Sequence, residues 1–191
     1  MPRPVLAFAS LALAASASAD PRWHVEGALW TTSPAALEQA IVVGGVVDAR
    51  RRLGEGPVFA SARLGLGSAS AANASWLLDD TQVAASLGVG LEAQVDVARL
   101  WAQASLGGQL VAESLHRQQW QRLAADGVPN VSRSSWTIGP LGALEVGVAL
   151  GFYGGWTAVF AGGPTLAAAR VNGATALRWG GSTLLGVGHV F

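Results

Sequence analysis

The chain has 191 residues and a formal net charge of zero, and 51% of its residues are hydrophobic while only 13% are charged. A soluble domain usually carries about 25% charged residues, so this composition favours one domain with part of its surface facing lipid. The balanced charge excludes the basic surface of a nucleic-acid-binding protein, and the absence of Cys excludes disulfides, thiolate metal sites and a lipid-modified N-terminal Cys.

The N-terminus has the pattern of a secretory signal peptide. Arg3 precedes the apolar run Val5–Ala15, and the sequence Ala17-Ser18-Ala19 matches an A-x-A cleavage site. The apolar run is shorter than the roughly 20 residues that a membrane-spanning helix needs. We therefore expect residues 1–19 to be a signal peptide and residues 20–191 to form the mature domain.

In the rest of the chain, apolar residues recur with a period of two, which is the period of a β-strand. We predict a strand in each of eight segments: 23–30, 41–50, 58–67, 82–95, 98–110, 136–150, 156–166 and 175–191. Each strand would turn an apolar face outward and a more polar face inward. Because lipid does not tolerate unpaired strand edges, we predict an all-β fold, an antiparallel up-and-down transmembrane β-barrel of about eight strands around a polar interior.

The predicted connections alternate in length over much of the chain. Short links fall at 51–57, 96–97 and 151–155, longer links at 68–81 and 115–135, and brief links at 33–39 and 171–174. Outer-membrane barrels join their strands by short periplasmic turns and longer extracellular loops. In the last long link, residues 114–127 predict a short helix or an extended hairpin. Trp120 in this segment is the candidate for contacting a partner, although packing against the barrel mouth or insertion among lipid headgroups is the favoured interpretation.

One stretch, residues 141–163, is apolar enough to suggest a transmembrane helix instead. It contains seven Gly residues, each of which costs about 1 kcal/mol relative to Ala inside a helix. We interpret it as a strand, a Gly-rich turn and a second strand.

The alternation places eight charged residues on the inward faces. They are Glu26, Asp48, Arg50, Arg63, Glu92, Arg99, Glu145 and Arg178. The interior of an eight-stranded barrel is only wide enough for side chains, and desolvated charges need partners. We predict a barrel-interior charge network and no open aqueous pore, with solvated charges at the rims as the alternative.

Four of the eight Trp residues, Trp23, Trp136, Trp156 and Trp179, lie near the ends of predicted strands. An amphipathic indole suits the headgroup layer, so we expect these four to be membrane-interface aromatics.

The C-terminal segment alternates through Leu185, Val187 and His189 and ends in Phe191. With the signal peptide and the eight segments, it resembles the small outer-membrane barrels of the OmpA/OmpX type, over essentially all of residues 20–191. The resemblance implies that this segment is a C-terminal assembly signal read by the barrel-assembly machinery. It also implies export through the periplasm and outer-membrane lipid as a partner.

Chemical motifs are few. Glu113, Ser114 and His116 could suggest a catalytic triad, but adjacent residues of a strand face opposite sides and do not converge. The three His residues are scattered, so we expect no cofactor and no metal site, although Asp79-Asp80 could bind Ca²⁺ weakly.

The sequence therefore favours a non-enzymatic integral outer-membrane barrel with an envelope-structural or loop-mediated binding role. It leaves open a narrow channel for small or apolar solutes, a lipid-modifying barrel enzyme and a soluble periplasmic lipocalin-like carrier. We expect no nucleic-acid partner, and no motif identifies an extracellular ligand.

Overall fold

A closed antiparallel barrel forms most of the chain. The computed structural model describes residues 23–33, 41–72, 77–115, 117–127, 134–171 and 174–191, so the predicted signal peptide lies outside the described residues. The elements are β1 (Trp23–Ser33), β2 (Val42–Arg52), β3 (Val58–Ala72), β4 (Leu77–Val95), β5 (Ala98–Leu115), α1 (Arg117–Ala125), β6 (Ser134–Gly151), β7 (Trp156–Val171) and β8 (Ala174–Val190). Each strand pairs with the next and β8 pairs with β1, which confirms the predicted eight-stranded up-and-down barrel.

The strands are staggered around the barrel. The ladder of paired residues that starts at His24 passes through Arg50, Ser61, Gly88, Ser105, Ala143, Thr165 and Gly180. Gly181, the residue after Gly180, pairs with Ser33 on β1. One circuit around the barrel therefore returns to β1 about ten residues beyond His24. A stagger of this kind tilts the strands relative to the barrel axis and brings residues of distant strands to the same height inside.

The barrel has two different ends. Trp23, Phe191 and the turns 53–57, 96–97 and 152–155 lie at one end, which we call the terminal end. The opposite end, the loop end, carries α1. The turns at the terminal end are tight: Gly154 and Gly155 have φ angles of 57° and 82°, and Asp96 has a φ of 54°. These left-handed conformations are open to Gly and tolerated by Asp, which explains the residues found there.

One predicted link is wrong. The sequence predicts a long loop over 68–81, but β3 continues to Ala72 and β4 begins at Leu77, with ladder pairs from Ser68–Thr81 to Ala72–Leu77. In this segment small polar residues, Ser68 and Ser70, occupy the outward positions and Ala69 is buried inside, the reverse of the apolar-outward pattern used to predict the strands. The strand was therefore not recognised, although the backbone still pairs. In the link 115–135 the structure forms α1, in agreement with the predicted short helix.

The stretch 141–163 forms parts of β6 and β7 around a turn, as interpreted from its Gly content. Among the described residues, no helix has the length and apolar character needed to cross a membrane.

The outer face of the wall is apolar. Large hydrophobic side chains are exposed there on every strand, including Leu29, Val43, Leu64, Leu87, Val89, Leu91, Leu106, Ile138, Leu144, Val146, Phe160 and Leu185. Among the described side chains, the charged residues at outward strand positions are Arg51 at the terminal end and Asp79 at the loop end. The described wall between the two ends therefore presents only uncharged residues.

The inside of the barrel is less uniformly polar than predicted. Buried apolar side chains form a cluster there, made of Ala28, Trp30, Val42, Val46, Phe59, Ala69, Ala84, Trp101, Ala161 and Leu184. They lie beside buried charged residues, so the interior combines rings, aliphatic side chains and ions.

Candidate functional site

The most distinctive arrangement of side chains lies inside the barrel. It joins five of the predicted inward charges, Glu26, Asp48, Arg50, Arg63 and Glu145, which we call the interior charge cluster. The residues that carry its three carboxylates are 1%, 0% and 2% exposed, so water does not solvate them. Burial of such ions is tolerated when partners and hydrogen bonds compensate for lost solvation.

Arg63 is at the centre of the interior charge cluster. It donates from Nε and Nη2 to Oδ2 of Asp48, at 3.0 and 2.6 Å, and from Nη1 to both oxygens of Glu145, at 2.8 and 2.6 Å. Asp48 is its ladder partner on β2, whereas Glu145 lies on β6, three strands away. One guanidinium therefore connects neighbouring and distant parts of the wall through the interior.

Arg50 forms the second cationic site. Its Nη2 donates to Oε1 of Glu26 at 2.8 Å and lies 3.7 Å from Oδ2 of Asp48. The guanidinium carbon lies 3.7 Å from the centre of the Trp101 ring and 5.8 Å from that of Phe59. Desolvated cation–π contacts of this kind contribute about 2 kcal/mol. The two aromatic rings therefore help to hold a buried cation.

Neutral side chains complete the hydrogen bonding of Glu145. Gln103 donates from Nε2 at 2.8 Å, and Ser182 donates from Oγ at 3.0 Å. Both are buried, on β5 and β8 respectively. The Glu145 carboxylate thus accepts hydrogen bonds from three strands, which explains how an ion with 2% exposure is accommodated.

His24 lies beside the interior charge cluster at the terminal end. Its Nε2 is 3.0 Å from Oγ1 of Thr157, and its Nδ1 is 3.9 Å from Oε2 of Glu26. His24 is not among the predicted interior charges. It lies two residues before Glu26 on β1, so its side chain also faces inward.

Three predicted residues lie outside the interior charge cluster. Glu92 pairs at 2.6 Å with Arg52, a residue that the prediction missed because it ended the strand at Arg50. Arg99 and Arg178 are half-buried, on β5 and β8. Arg52 is the next alternate residue after Asp48 and Arg50 on β2. Extending the same alternation by one step would have identified Arg52 as an inward-facing charge.

The four Trp residues expected at the membrane interface lie on the outer face. Trp23, Trp136, Trp156 and Trp179 are exposed by 37%, 62%, 44% and 73%. Trp23 and Trp156 begin their strands at the terminal end, and the other two lie towards the loop end of β6 and β8. Their contact with headgroups stays a prediction.

The C-terminal segment closes the barrel. Leu185 and Val187 are exposed on the outer face, and the N–H of Phe191 donates to the carbonyl of Trp23 at 2.9 Å. The His189 ring lies 5.0 Å from that of Trp156 and 4.5 Å from that of Phe191. His189 therefore belongs to a group of three aromatic rings at the terminal end, together with Trp156 and Phe191.

The residues considered for catalysis do not converge. Glu113 is on the inward face of β5 and accepts a hydrogen bond from Oγ of Ser135 at 2.8 Å. Ser114 faces outward and its Oγ donates to the carbonyl of Asp79 at 3.2 Å. His116 lies outside the described residues.

A groove of about 530 Å³ crosses the outer face of the wall. Its lining includes Val89, Leu91, Leu144 and Val146, all exposed outward, and Pro164. The β6–β7 ladder is interrupted beside it, between the pairs Ala143–Thr165 and Val146–Gly162, because Pro164 has no N–H to donate. The groove thus lies on the outer surface of the wall.

Comparison with solved structures places this architecture among small outer-membrane barrels. Neisserial surface protein A is similar, with a TM-score of 0.57 and 13% sequence identity over 91% of this chain and 99% of that protein. The outer membrane protein OprG from Pseudomonas aeruginosa has a TM-score of 0.54 and 11% identity over 88% and 95% of the two chains. A major outer membrane protein from Thermus thermophilus has a TM-score of 0.50 and 11% identity over 87% and 99%.

The chain therefore has the fold of the small eight-stranded outer-membrane barrels, the class that its sequence resembles. No protein-family model matches the sequence, and neither does any curated protein.

Proposed function

We propose that the chain is a non-enzymatic integral protein of the bacterial outer membrane, with a closed interior. The observation that carries this proposal is the combination of an uncharged apolar outer face with an interior crossed by ion pairs. Hydrocarbon is the environment that such a face requires, and a closed barrel leaves no unpaired strand edge in it.

The two ends suggest the orientation. Turns at the terminal end are as short as the two residues Asp96 and Val97, whereas the loop end carries α1. Because outer-membrane barrels have short periplasmic turns and longer extracellular loops, the terminal end would face the periplasm and the loop end the outside.

The side chains that fill the barrel interior argue against conduction. Arg63 links Asp48 to Glu145 across the interior, and Arg50 stacks on Trp101 beside it. Since an eight-stranded barrel encloses little more than its own side chains, these groups leave no wide aqueous path at this height. The proposed role therefore lies in the wall and the loop end.

An enzyme and a soluble carrier have less support. A lipid-modifying enzyme would need a nucleophile and a base that converge, and Glu113 and Ser114 face opposite sides of β5. A soluble carrier would leave the apolar outer face in water, which strongly favours association or membrane insertion.

The loop end is the best candidate for binding a partner. The three longest strands are β4 with 19 residues and β5 and β6 with 18 each, and α1 follows β5 at this end. Trp120 lies on α1 and is half-buried. We propose that contacts with ligands or neighbouring surfaces use this end, although no residue identifies the ligand.

The proposal is tested by location and conductance together. The protein should fractionate with the outer membrane, migrate faster on a gel when unheated, and give no stable single-channel current in planar lipid bilayers. Recovery in the soluble periplasmic fraction would overturn the membrane assignment. A large, reproducible conductance from the purified barrel would overturn the closed interior.

A further inference from the structure

A second set of acidic residues lies inside the barrel at the loop end, away from the interior charge cluster. Asp80 on β4 and Glu113 on β5 are ladder partners, so their side chains emerge side by side from neighbouring strands. Both occupy inward-facing positions on their strands. Like charges in directly opposed positions destabilise a sheet unless something compensates for their repulsion.

Asp80 lacks a hydrogen-bond donor among the described residues. It is only 2% exposed, yet neither Oδ1 nor Oδ2 accepts a hydrogen bond. Among the described residues, two further acids act on it: Glu113, its ladder partner, and Asp79, next to it in the chain. A buried carboxylate without donors costs several kcal/mol, so this position requires either a proton or a cation that the described chain does not supply.

Glu113 uses one of its two oxygens in a hydrogen bond to a described residue. Its Oε2 accepts a hydrogen bond from Oγ of Ser135 at 2.8 Å, and this bond holds the carboxylate beside Asp80. The neighbouring Asp79 is different: it is exposed on the opposite face of β4, and its Oδ1 accepts from Oγ of Ser70 at 2.7 Å. Only Asp80 and Glu113 of these three acids therefore face the same space.

We propose that Asp80 and Glu113 bind a hard divalent cation, with Ca²⁺ as its representative, at the loop end of the barrel interior. Ca²⁺ takes oxygen ligands from carboxylates and water. Among the described residues no group of three or more His, Cys, Asp and Glu side chains surrounds a common point, so water would supply much of the coordination. Carboxylate and water oxygens suit such a cation better than a transition metal, which prefers nitrogen or sulfur ligands.

Binding would bridge β4 and β5 near their exposed ends. The bridge replaces the repulsion between two carboxylates by attraction to a shared ion, so the cation should stabilise the folded barrel by mass action.

The test uses the full mature barrel in detergent micelles. Ca²⁺ binding is measured by titration calorimetry, and the midpoint of heat-induced unfolding is measured in Ca²⁺ and in EDTA. We expect the wild-type midpoint to be higher in Ca²⁺. Asp80→Asn and Glu113→Gln should each weaken binding by at least about tenfold, because each removes a charged ligand.

Asp79→Asn is the matched control, since it makes the same chemical change one residue away on the other face. It should retain the affinity and the response of the midpoint to Ca²⁺. The proposal is overturned if wild-type protein binds no Ca²⁺ at millimolar concentration, or if Asp79→Asn loses binding while Asp80→Asn retains it. Greater stability of Asp80→Asn in EDTA, together with a wild-type midpoint that ignores Ca²⁺, would also overturn it and identify Asp80 as a buried neutral acid.

Discussion

Nη1 of Arg63 on β3 donates to both carboxylate oxygens of Glu145 on β6, which ties together two strands that share no ladder. The side chains are 12% and 0% exposed. In a barrel whose strands pair only with their neighbours, these two residues form a crosslink through the interior. The crosslink couples the stability of the wall to the charges inside it.

Removing the Arg63 guanidinium should be strongly destabilising. Arg63→Met leaves the carboxylates of Asp48 and Glu145 buried without this partner, and loss of one member of a buried ion pair costs about 3–5 kcal/mol. Urea unfolding of the barrel in lipid vesicles, followed by Trp fluorescence, measures this change in the free energy of unfolding.

The matched control is Arg52→Met. Arg52 also pairs with a carboxylate, that of Glu92, but its side chain is 38% exposed. The Glu92 side chain is 9% exposed, so this pair is partly solvated, and Arg52→Met should lower the free energy of unfolding by less than Arg63→Met does. Equal effects of the two substitutions would show that the crosslink contributes no special stability.

The inward position of the charges could be predicted from the sequence, because a period of two assigns each strand residue to a face. Which charges meet could not. A slip of two residues leaves the alternation unchanged but moves every cross-barrel contact, so the pairing of Arg63 with Glu145 depends on the stagger between strands. The extension of β3 through Ala72 was also missed, because small polar residues, Ser68 and Ser70, take the outward positions that are apolar in the rest of the strand.

The close packing around Gly147 inside the barrel leads to a second prediction about stability. A side-chain carbon at Gly147 would collide with the indole of Trp101 and with Ala161. Gly147→Ala should therefore displace the Trp101 ring and lower the free energy of unfolding by about 1–3 kcal/mol, the usual cost of overpacking.

Gly45→Ala is the control, since nothing lies within 4 Å of a side-chain carbon at that position on β2. It should change stability by less than about 0.5 kcal/mol. If the two variants unfold alike in urea, the indole of Trp101 does not pack against Gly147.

The proposed contact of the outer face with lipid predicts a dependence on position. Val146 in β6 and Val97 in a turn at the terminal end have similar exposure, 66% and 60%. Val146→Arg places a charge within the apolar band and should cost about 2–4 kcal/mol in a bilayer, whereas Val97→Arg near the interface should cost about 1 kcal/mol or less. Unfolding titrations in vesicles measure both, and equal costs would contradict a lipid-covered wall.

The proposal that the C-terminal segment is read by the barrel-assembly machinery predicts a difference between cells and purified protein. Phe191 holds β8 to β1 through its backbone N–H, which Phe191→Ala retains, while its ring packs on His189. We expect this variant to refold in detergent nearly as well as the wild type but to accumulate several-fold less folded barrel in the outer membrane, measured as the heat-modifiable form. Phe152→Ala, which truncates an exposed Phe in a turn at the same end, should assemble normally. Equal losses for both variants, or a refolding defect of Phe191→Ala in detergent, would mean that the ring acts through stability and not through recognition.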